Sequence, residues 1–386
     1  MKHLSRNDRS LVGRWFWTID KTLLALVMLL IGLGIVAVAA AAPAAAHRYS
    51  GGTVQIGDLF YLKRQIMWIL AGVPVMLATS MLPVDWAKRV AIGGTVVFIV
   101  ALFAVPFLGS EVNGAVRWIN LPGFQLEPSE FLKPMFVITT AWLLAARFDD
   151  RSLPTMQLSF GLLVVIAGLL VKQPDFGQTA LFGAVWTAQA ILAGMSVLVI
   201  GGVVCLAIGG LGVAYLTSTH VAERIDHFVK GTGDTYQIDR ALDCFKAGGL
   251  FGAGPGEGQM KFRLPEAHTD YIFSVIGEEF GAIACFVLAV LYLAIVVRVV
   301  LQLLDEEEPF IFLAAAGLAI QFGLQAMINM AVNLALLPSK GMTLPFVSHG
   351  GSSFLALSLG MGLLLALTRR NPYLKASPYA ARARAA

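Results

Sequence analysis

The stretch "LPEAHTDYIFSVIGEEFG" at residues 264–281 gathers Glu266, His268, Asp270, Glu278 and Glu279 just ahead of the apolar run "AIACFVLAVLYLAIVV". Ionisable groups beside a segment apolar enough to cross a membrane are costly to desolvate, and in membrane proteins they mark functional sites. Asp270 falls at the expected water boundary, where a carboxylate exchanges protons and suits a general base acting on a hydroxyl group. His268 and Glu266 are close enough in sequence to tune its protonation. Glu278 and Glu279 lie about two to three helical turns deeper, so at least one is expected to pair inside the protein.

A second set lies in "FQLEPSEFLKP", residues 124–134. Pro128 suits the first turn of a helix, where its missing N–H costs nothing, and Glu130 in that turn is favoured by the positive end of the helix dipole. Glu127, Glu130 and Lys133 recur at a spacing of three and share one face. An ion pair at the helix start is the favoured reading of Glu130 and Lys133 taken alone. The sharper one is a basic group awaiting an anionic ligand. In "GAVRWI", Trp118 fits an interfacial anchor and Arg117 fits a bidentate phosphate contact. The sequence leaves both roles open.

Two further patterns are weaker. "GGLFGAGPGEG", residues 248–258, lacks the Lys-Ser/Thr ending of a nucleotide-binding loop. It is expected to be a flexible loop whose backbone approaches a ligand, since glycine permits that. Gln321, Gln325, Asn329 and Asn333 recur every four residues and must face protein or a wet cavity rather than lipid. Hydrogen bonding between helices is the expected use.

The elements that position these residues follow from composition. Of 386 residues, 57% are hydrophobic and 13% charged. Soluble chains carry about a quarter charged residues, so this is an integral membrane protein. The formal charge of +4 is spread over many loops, with no nucleic-acid footprint. The three cysteines cannot build a disulfide framework, and they never cluster with the six histidines at metal-ligand spacing.

A spanning helix needs about 20 mainly apolar residues. That template places ten spans near 21–43, 65–83, 89–108, 130–146, 156–173, 176–194, 196–218, 271–297, 309–332 and 351–368, with the weakest boundary at Gly194-Met195-Ser196. The expected fold is an all-α integral membrane protein of about ten transmembrane helices. Residues 1–20 form a cytoplasmic segment, 21–368 a single transmembrane domain, and 369–386 a cytoplasmic tail. A long external loop, 219–270, joins the seventh and eighth spans. The first apolar run exceeds the core of a signal peptide and reads as a retained helix. Lys and Arg in the short loops place both termini in the cytoplasm and the polar motifs on the outer side. The tail can touch anionic lipid.

Together these residues resemble the SEDS family (FtsW/RodA/SpoVE) of bacterial cell-wall synthesis. Four blocks stand in family order: "RWINLPGFQLEPSEFLKP", "QPDFGQTAL", "GGLFGAGPGEGQMKFRLPEAHTDYIFSVIGEEFG" and "LLPSKGMTLPFVSHGGSS". The wording of "PSKGMTLPF" and "VIGEE" is closer to the division branch than to the elongation branch. The resemblance implies a peptidoglycan glycosyltransferase of the bacterial inner membrane that polymerises lipid II, the undecaprenyl-diphosphate-linked disaccharide-pentapeptide, at the outer face during cell division. It implies a class B penicillin-binding protein transpeptidase and other divisome proteins as partners. It maps the essential aspartate of "HTD" onto Asp270, "PSE..K" onto Glu130 and Lys133, and "QPD" onto Asp175. Arg117, Trp118, His268, Lys340 and Ser348 complete the expected substrate-binding set. Arg117, Lys133 and Lys340 are the candidate cations for the departing diphosphate, and a divalent cation (Mg or Mn) is compatible with the family. Glu127, where Gln is more usual, and His349, where Tyr is more usual, depart from its pattern.

Two other functions compete. A lipid II transporter would place binding groups near the bilayer midplane, often on repeated halves, and here only the polar stripe of the ninth span points that way. A scaffold recruiting the transpeptidase leaves the acidic external motif unused. Polymerisation is the reading favoured, with the elongation-type polymerase as its nearest variant.

Overall fold

A computed structural model describes residues 10–50, 55–112, 115–121, 124–217, 222, 236–338 and 341–369. In lipid a backbone must satisfy its own N–H and C=O groups, so long apolar runs become helices. A short helix α1 (Leu11–Thr18) is followed by α2 (Lys21–Tyr49), α3 (Phe60–Ser80), α4 (Val84–Leu108), α5 (Pro128–Asp149) and α6 (Thr155–Lys172). Then come α7 (Phe176–Leu192), α8 (Val197–Thr217), α9 (Tyr236–Gly248), α10 (Ile272–Leu303), α11 (Pro309–Asn333) and α12 (Gly351–Leu367). A helix occupies each of the ten predicted positions. Among the described residues, six helices, α2, α4, α5, α6, α10 and α11, are long and apolar enough to cross a membrane. The weak boundary is a true break, where Gly194 takes a φ of +80° between α7 and α8.

Helix α5 is the most buried of the six and packs against α4, α6, α7, α11 and α12. Its start is fixed as expected, with Pro128 in the first turn and Glu130 beside it. Helices α3 and α12 approach closely over small residues. A side chain added at Gly72 would lie 2.6 Å from the Phe354 ring, and one at Gly351 would strike Trp68. Such small-residue seams let helix backbones meet where no hydrophobic force drives association. At the other end of α2, Asp20 caps the helix through Thr22 and Leu23 and also accepts from Arg298 at 2.8 Å.

Three features depart from the helical expectation. Residues read as a loop form a small antiparallel sheet, β1 (Gly109–Val112), β2 (Ala115–Leu121) and β3 (Phe124–Leu126), in the order β1-β2-β3. Val116, Trp118 and Ile119 suit a pleated, half-buried surface. Helix α1 was unforeseen, because eight residues are too few for a span; Trp15 ties it to α3 by donating to Ser80 at 2.8 Å. Helix α9, within the expected external loop, is amphipathic and buries Ala241, Cys244 and Gly248.

Helix α10 is interrupted at Gly281, whose φ of +83° and ψ of 175° are not helical. The break frees the Glu278 and Glu279 carbonyls, which accept from Ala253 at 2.8 Å and Gly254 at 3.1 Å. Ala282 N–H returns to Gly249 at 2.9 Å. The glycine loop therefore approaches the backbone of α10 closely. A side chain at Gly252 would run into the Glu279 carbonyl, and one at Gly248 into Gly277. As anticipated, a deep carboxylate is paired: Glu279 binds Lys261, both fully buried. Glu278 accepts from the N–H groups of Met260 and Lys261 at 2.6 and 2.8 Å.

Candidate active site

The turn before α10 presents Asp270. Its own carbonyl is held twice from α11, by Asn329 Nδ2 at 2.8 Å and Asn333 Nδ2 at 2.9 Å. Asn333 Oδ1 accepts from both the N–H and the hydroxyl of Ser274 on α10. Gln325 donates to the Thr343 carbonyl at 3.2 Å and Asn329 to the Met342 carbonyl at 2.6 Å. Three of the four stripe residues, Gln325, Asn329 and Asn333, thus bond between elements, as expected, and clamp the Asp270 turn and the 341–349 segment together, whereas Gln321 Oε1 is buried without a partner among the described residues.

That segment closes over the turn from the other side. Ser348 donates its hydroxyl to the Thr269 carbonyl at 2.6 Å and accepts from Leu344 N–H at 2.8 Å. The His349 N–H donates to the His268 carbonyl at 2.8 Å. Ser348, expected at the substrate, joins the two loops through these bonds. His268 is buried, with its ring 4.3 Å from that of Tyr61 and 5.4 Å from that of His349. Burial pushes His268 down to about 4 and His349 to about 3, so both are neutral near pH 7. Of the two groups expected to tune Asp270, Glu266 carries a charge that reaches it; His268 supplies packing and a carbonyl.

The Asp270 carboxylate itself receives no hydrogen bond from the described residues and is half-buried. Burial, and then the charge of Glu266, raise it to about 7, against the pull of Arg117. A Cβ on Gly341 would lie 3.6 Å from Asp270 Oδ2 and 3.7 Å from Arg117 Nη1. The carboxylate and the guanidinium therefore face the same small space, edged by a glycine with a φ of +59°. Arg117, on β2, donates to the Pro174 carbonyl at 3.0 Å and lies 3.9 Å from Asp175. Asp175 caps α7 through Gln178 N–H at 3.3 Å; its burial raises its carboxyl, and Arg117 opposes that.

Glu130 and Lys133 form a buried ion pair at 2.7 Å. Gln178 donates to Glu130 Oε1 at 2.8 Å, Ser353 to Oε2 at 3.2 Å, and Lys133 also reaches Gln325 Oε1 at 3.0 Å. The ion-pair reading holds, within a network that joins α5, α7, α11 and α12. Trp118 donates from Nε1 to Glu127 at 3.1 Å, and Ser129 does so at 3.1 Å. Glu127 is pushed up to about 8, chiefly by burial and then by the charges of Glu130 and Asp175. Trp118 is a strut from the sheet to the start of α5. Lys340 lies outside the described residues.

A divalent cation fits this donor set poorly. Among the described residues no group of three or more His, Cys, Asp or Glu side chains could hold a metal ion. The Asp270 oxygens and Asp175 Oδ2 are carboxylate oxygens of this region without a hydrogen bond from the described residues, too few to build an oxygen cage for a divalent ion. Sequence reasoning missed Tyr49, which donates to Glu266 at 2.6 Å. No pattern within α2 points to a partner so distant in the chain.

The family model for cell cycle proteins, FTSW_RODA_SPOVE, matches residues 20–373. The probable peptidoglycan glycosyltransferase FtsW of Caulobacter vibrioides is 41% identical over 370 residues, covering 95% of this chain and 94% of the relative. That of Trichlorobacter lovleyi is 36% identical over 360 residues, covering 90% and 92%. Among solved structures, the rod shape determining protein RodA of Thermus thermophilus is 26% identical and superposes with a TM-score of 0.65, over 91% of this chain and 96% of that one. A chain from a peptidoglycan synthase complex shares the fold at a TM-score of 0.73, with 24% identity over 91% and 97% of the two chains. A family model spanning most of the sequence and relatives that cover nearly all of it leave one conclusion: this chain belongs to the FTSW_RODA_SPOVE family.

Proposed function

We propose that this protein is a peptidoglycan glycosyltransferase that polymerises lipid II at the outer face of the bacterial inner membrane during cell division. The observation that carries the mechanism is the Asp270 carboxylate, left without a hydrogen bond by the described residues while the backbone of its turn is clamped. With its carboxyl raised to about 7, half of it is ionised near neutrality, which suits a general base.

The donor lipid already carries its leaving group, so no nucleotide is needed. Asp270 takes the proton of the acceptor sugar hydroxyl as that oxygen attacks the anomeric carbon. The new glycosidic C–O bond forms while the bond to the diphosphate breaks, and the diphosphate leaves with the electron pair. Attack opposite the leaving group inverts the anomeric configuration. Arg117, facing the same space, is placed to stabilise the charge that develops on the diphosphate. Lys340 is the second cation in this reading. Glu130 and Lys133 act behind the site, since their charges are spent on each other and on neighbouring amides.

The orientation rests on the lysines and arginines of the short loops, with both termini cytoplasmic. A class B penicillin-binding protein is the proposed partner, with other divisome proteins at the septum. Transport is disfavoured by the one feature that suggested it, because Gln325, Asn329 and Asn333 of the α11 stripe are used in holding Asp270 and its neighbours. Labelled lipid II incubated with the purified protein, with and without the transpeptidase, tests the reading. Long glycan products are expected; movement of lipid II across vesicles without any polymer would replace the enzyme by a transporter.

A further inference from the structure

A chain of contacts runs from Asp270 to the outer end of α2. Tyr49, the last residue of α2, donates its hydroxyl to Glu266 Oε1 at 2.6 Å. The Thr269 hydroxyl donates to the other oxygen, Oε2, at 2.6 Å. The Glu266 carbonyl accepts from the N–H groups of Thr269 and Tyr271, each at 3.1 Å. One residue thus ties both ends of the turn that contains Asp270. Glu266 does so from the left-handed region, with a φ of +51°. A non-glycine residue persists there only where its surroundings over-determine it, and such positions cluster at functional sites. The tie to Tyr49 spans 217 residues of sequence, so it fastens the turn to a separate helix.

We propose that Glu266 and Tyr49 are positioning residues for Asp270: the Tyr49–Glu266 bond fixes the 266–271 turn against α2 and keeps a second carboxylate beside the reacting one. This rests on the reading of Asp270 as general base. Among the described residues, the charges that act on Asp270 are Glu266 on its own turn, Arg117 from β2, Glu130 from α5 and Asp175 ahead of α7. Of the neighbouring charges, Glu266 has the largest effect, and it raises the Asp270 carboxyl. Glu266 in turn is faced by Tyr49 on α2 and Tyr61 on α3, with Arg48 and Arg64 near those two hydroxyls. His268 stands beside it on the same turn.

Removing the Glu266 charge lowers the Asp270 carboxyl, so the base stays ionised to lower pH. Removing only the Tyr49 hydroxyl leaves that charge in place but loosens the turn. The test is the initial rate of lipid II polymerisation against pH for the full-length parent, Glu266→Gln, Glu266→Asp, Tyr49→Phe and Asp270→Asn. Folded protein is quantified for each by thermal unfolding in detergent. Glu266→Gln is expected to move the acidic limb down by roughly half a unit to one unit. Tyr49→Phe is expected to keep the limb and lower the plateau by about three- to tenfold, through misplacement of the base. Glu266→Asp, which keeps the charge, should restore the parental limb.

A parental pH profile in folded Glu266→Gln overturns the proposal. If that variant fails to accumulate, Tyr49→Phe decides, and an unchanged plateau overturns it. Asp270→Asn separates this from the underlying reading: parental turnover there removes the general base itself. An inactive Asp270→Asn beside a parental Glu266→Gln removes the positioning role alone.

Discussion

Two carboxylates within one family motif set meet opposite fates in this molecule. Glu130 is buried, and its oxygens take hydrogen bonds from Lys133, Gln178 and Ser353. Asp270 is half-buried, and the described residues leave its oxygens open while they fasten its backbone. The difference separates holding from reacting. A carboxylate saturated by donors has no lone pair to offer a substrate proton, whereas one that is clamped but unsatisfied does. Burial of a charge does not by itself mark chemistry. What matters is whether the surrounding fold has spent the charge.

The largest effect expected from this contrast lies at Asp270. Asp270→Asn keeps the shape and the carbonyl clamp but removes the basicity, so turnover should fall by about a hundredfold to ten-thousandfold. Substrate binding and thermal unfolding should change little. Parental turnover in the purified variant would erase the contrast.

Next comes the closed network. Lys133→Met strands a buried Glu130 charge, a loss of about 3–5 kcal/mol of stability. Thermal unfolding in detergent should show it, and Glu130→Gln/Lys133→Met together should recover most of the loss. If the single variant is stable yet inactive, Lys133 contacts substrate and the two sites are less different than drawn.

A pH profile sharpens the comparison at lower amplitude. Since Asp270 is raised to about 7, activity should climb with pH through neutrality and flatten above it. Below that point the rate should drop about tenfold per pH unit as the carboxylate protonates. A limb centred near the ordinary carboxylate range would mean that the site is wetter than its burial implies.

The smallest effect is expected at Glu127. Pushed up to about 8, it is mostly protonated near neutrality and already behaves as an uncharged acceptor for Trp118 and Ser129. Glu127→Gln should therefore leave polymerisation at pH 7 within about twofold, since one neutral group replaces another of similar shape. A strong loss would show that Glu127 works as a charge.

The sequence was most legible where a single segment carries the cause. Pro128 and Glu130 announced the start of α5, and the fourfold spacing of Gln321, Gln325, Asn329 and Asn333 put them on one buried face. It was least legible where a residue type permits several uses. Glycines 248, 252 and 281 signalled a close backbone approach, but glycine does not say to what; the structure brings the loop against α10. The alternation in "VRWINL" was too short to stand out from a loop between long apolar runs, and became β2 through its pairing with β1 and β3.

By itself the sequence determined the all-α membrane class, the start of α5 and the acidic turn ahead of α10. Those depend on transfer of local segments out of water and on helix-end electrostatics, both properties of neighbouring residues. Tertiary structure alone decided which charges are spent. Lys133 meets Gln325 across 192 residues, and Tyr49 meets Glu266 across 217. Arg117 comes to face Asp270 only because β2, the turn before α10 and Gly341 converge. Side-chain hydrogen bonds reach about 3 Å, so partners that far apart in the chain are chosen by packing, and with them whether the Asp270 carboxylate is left open.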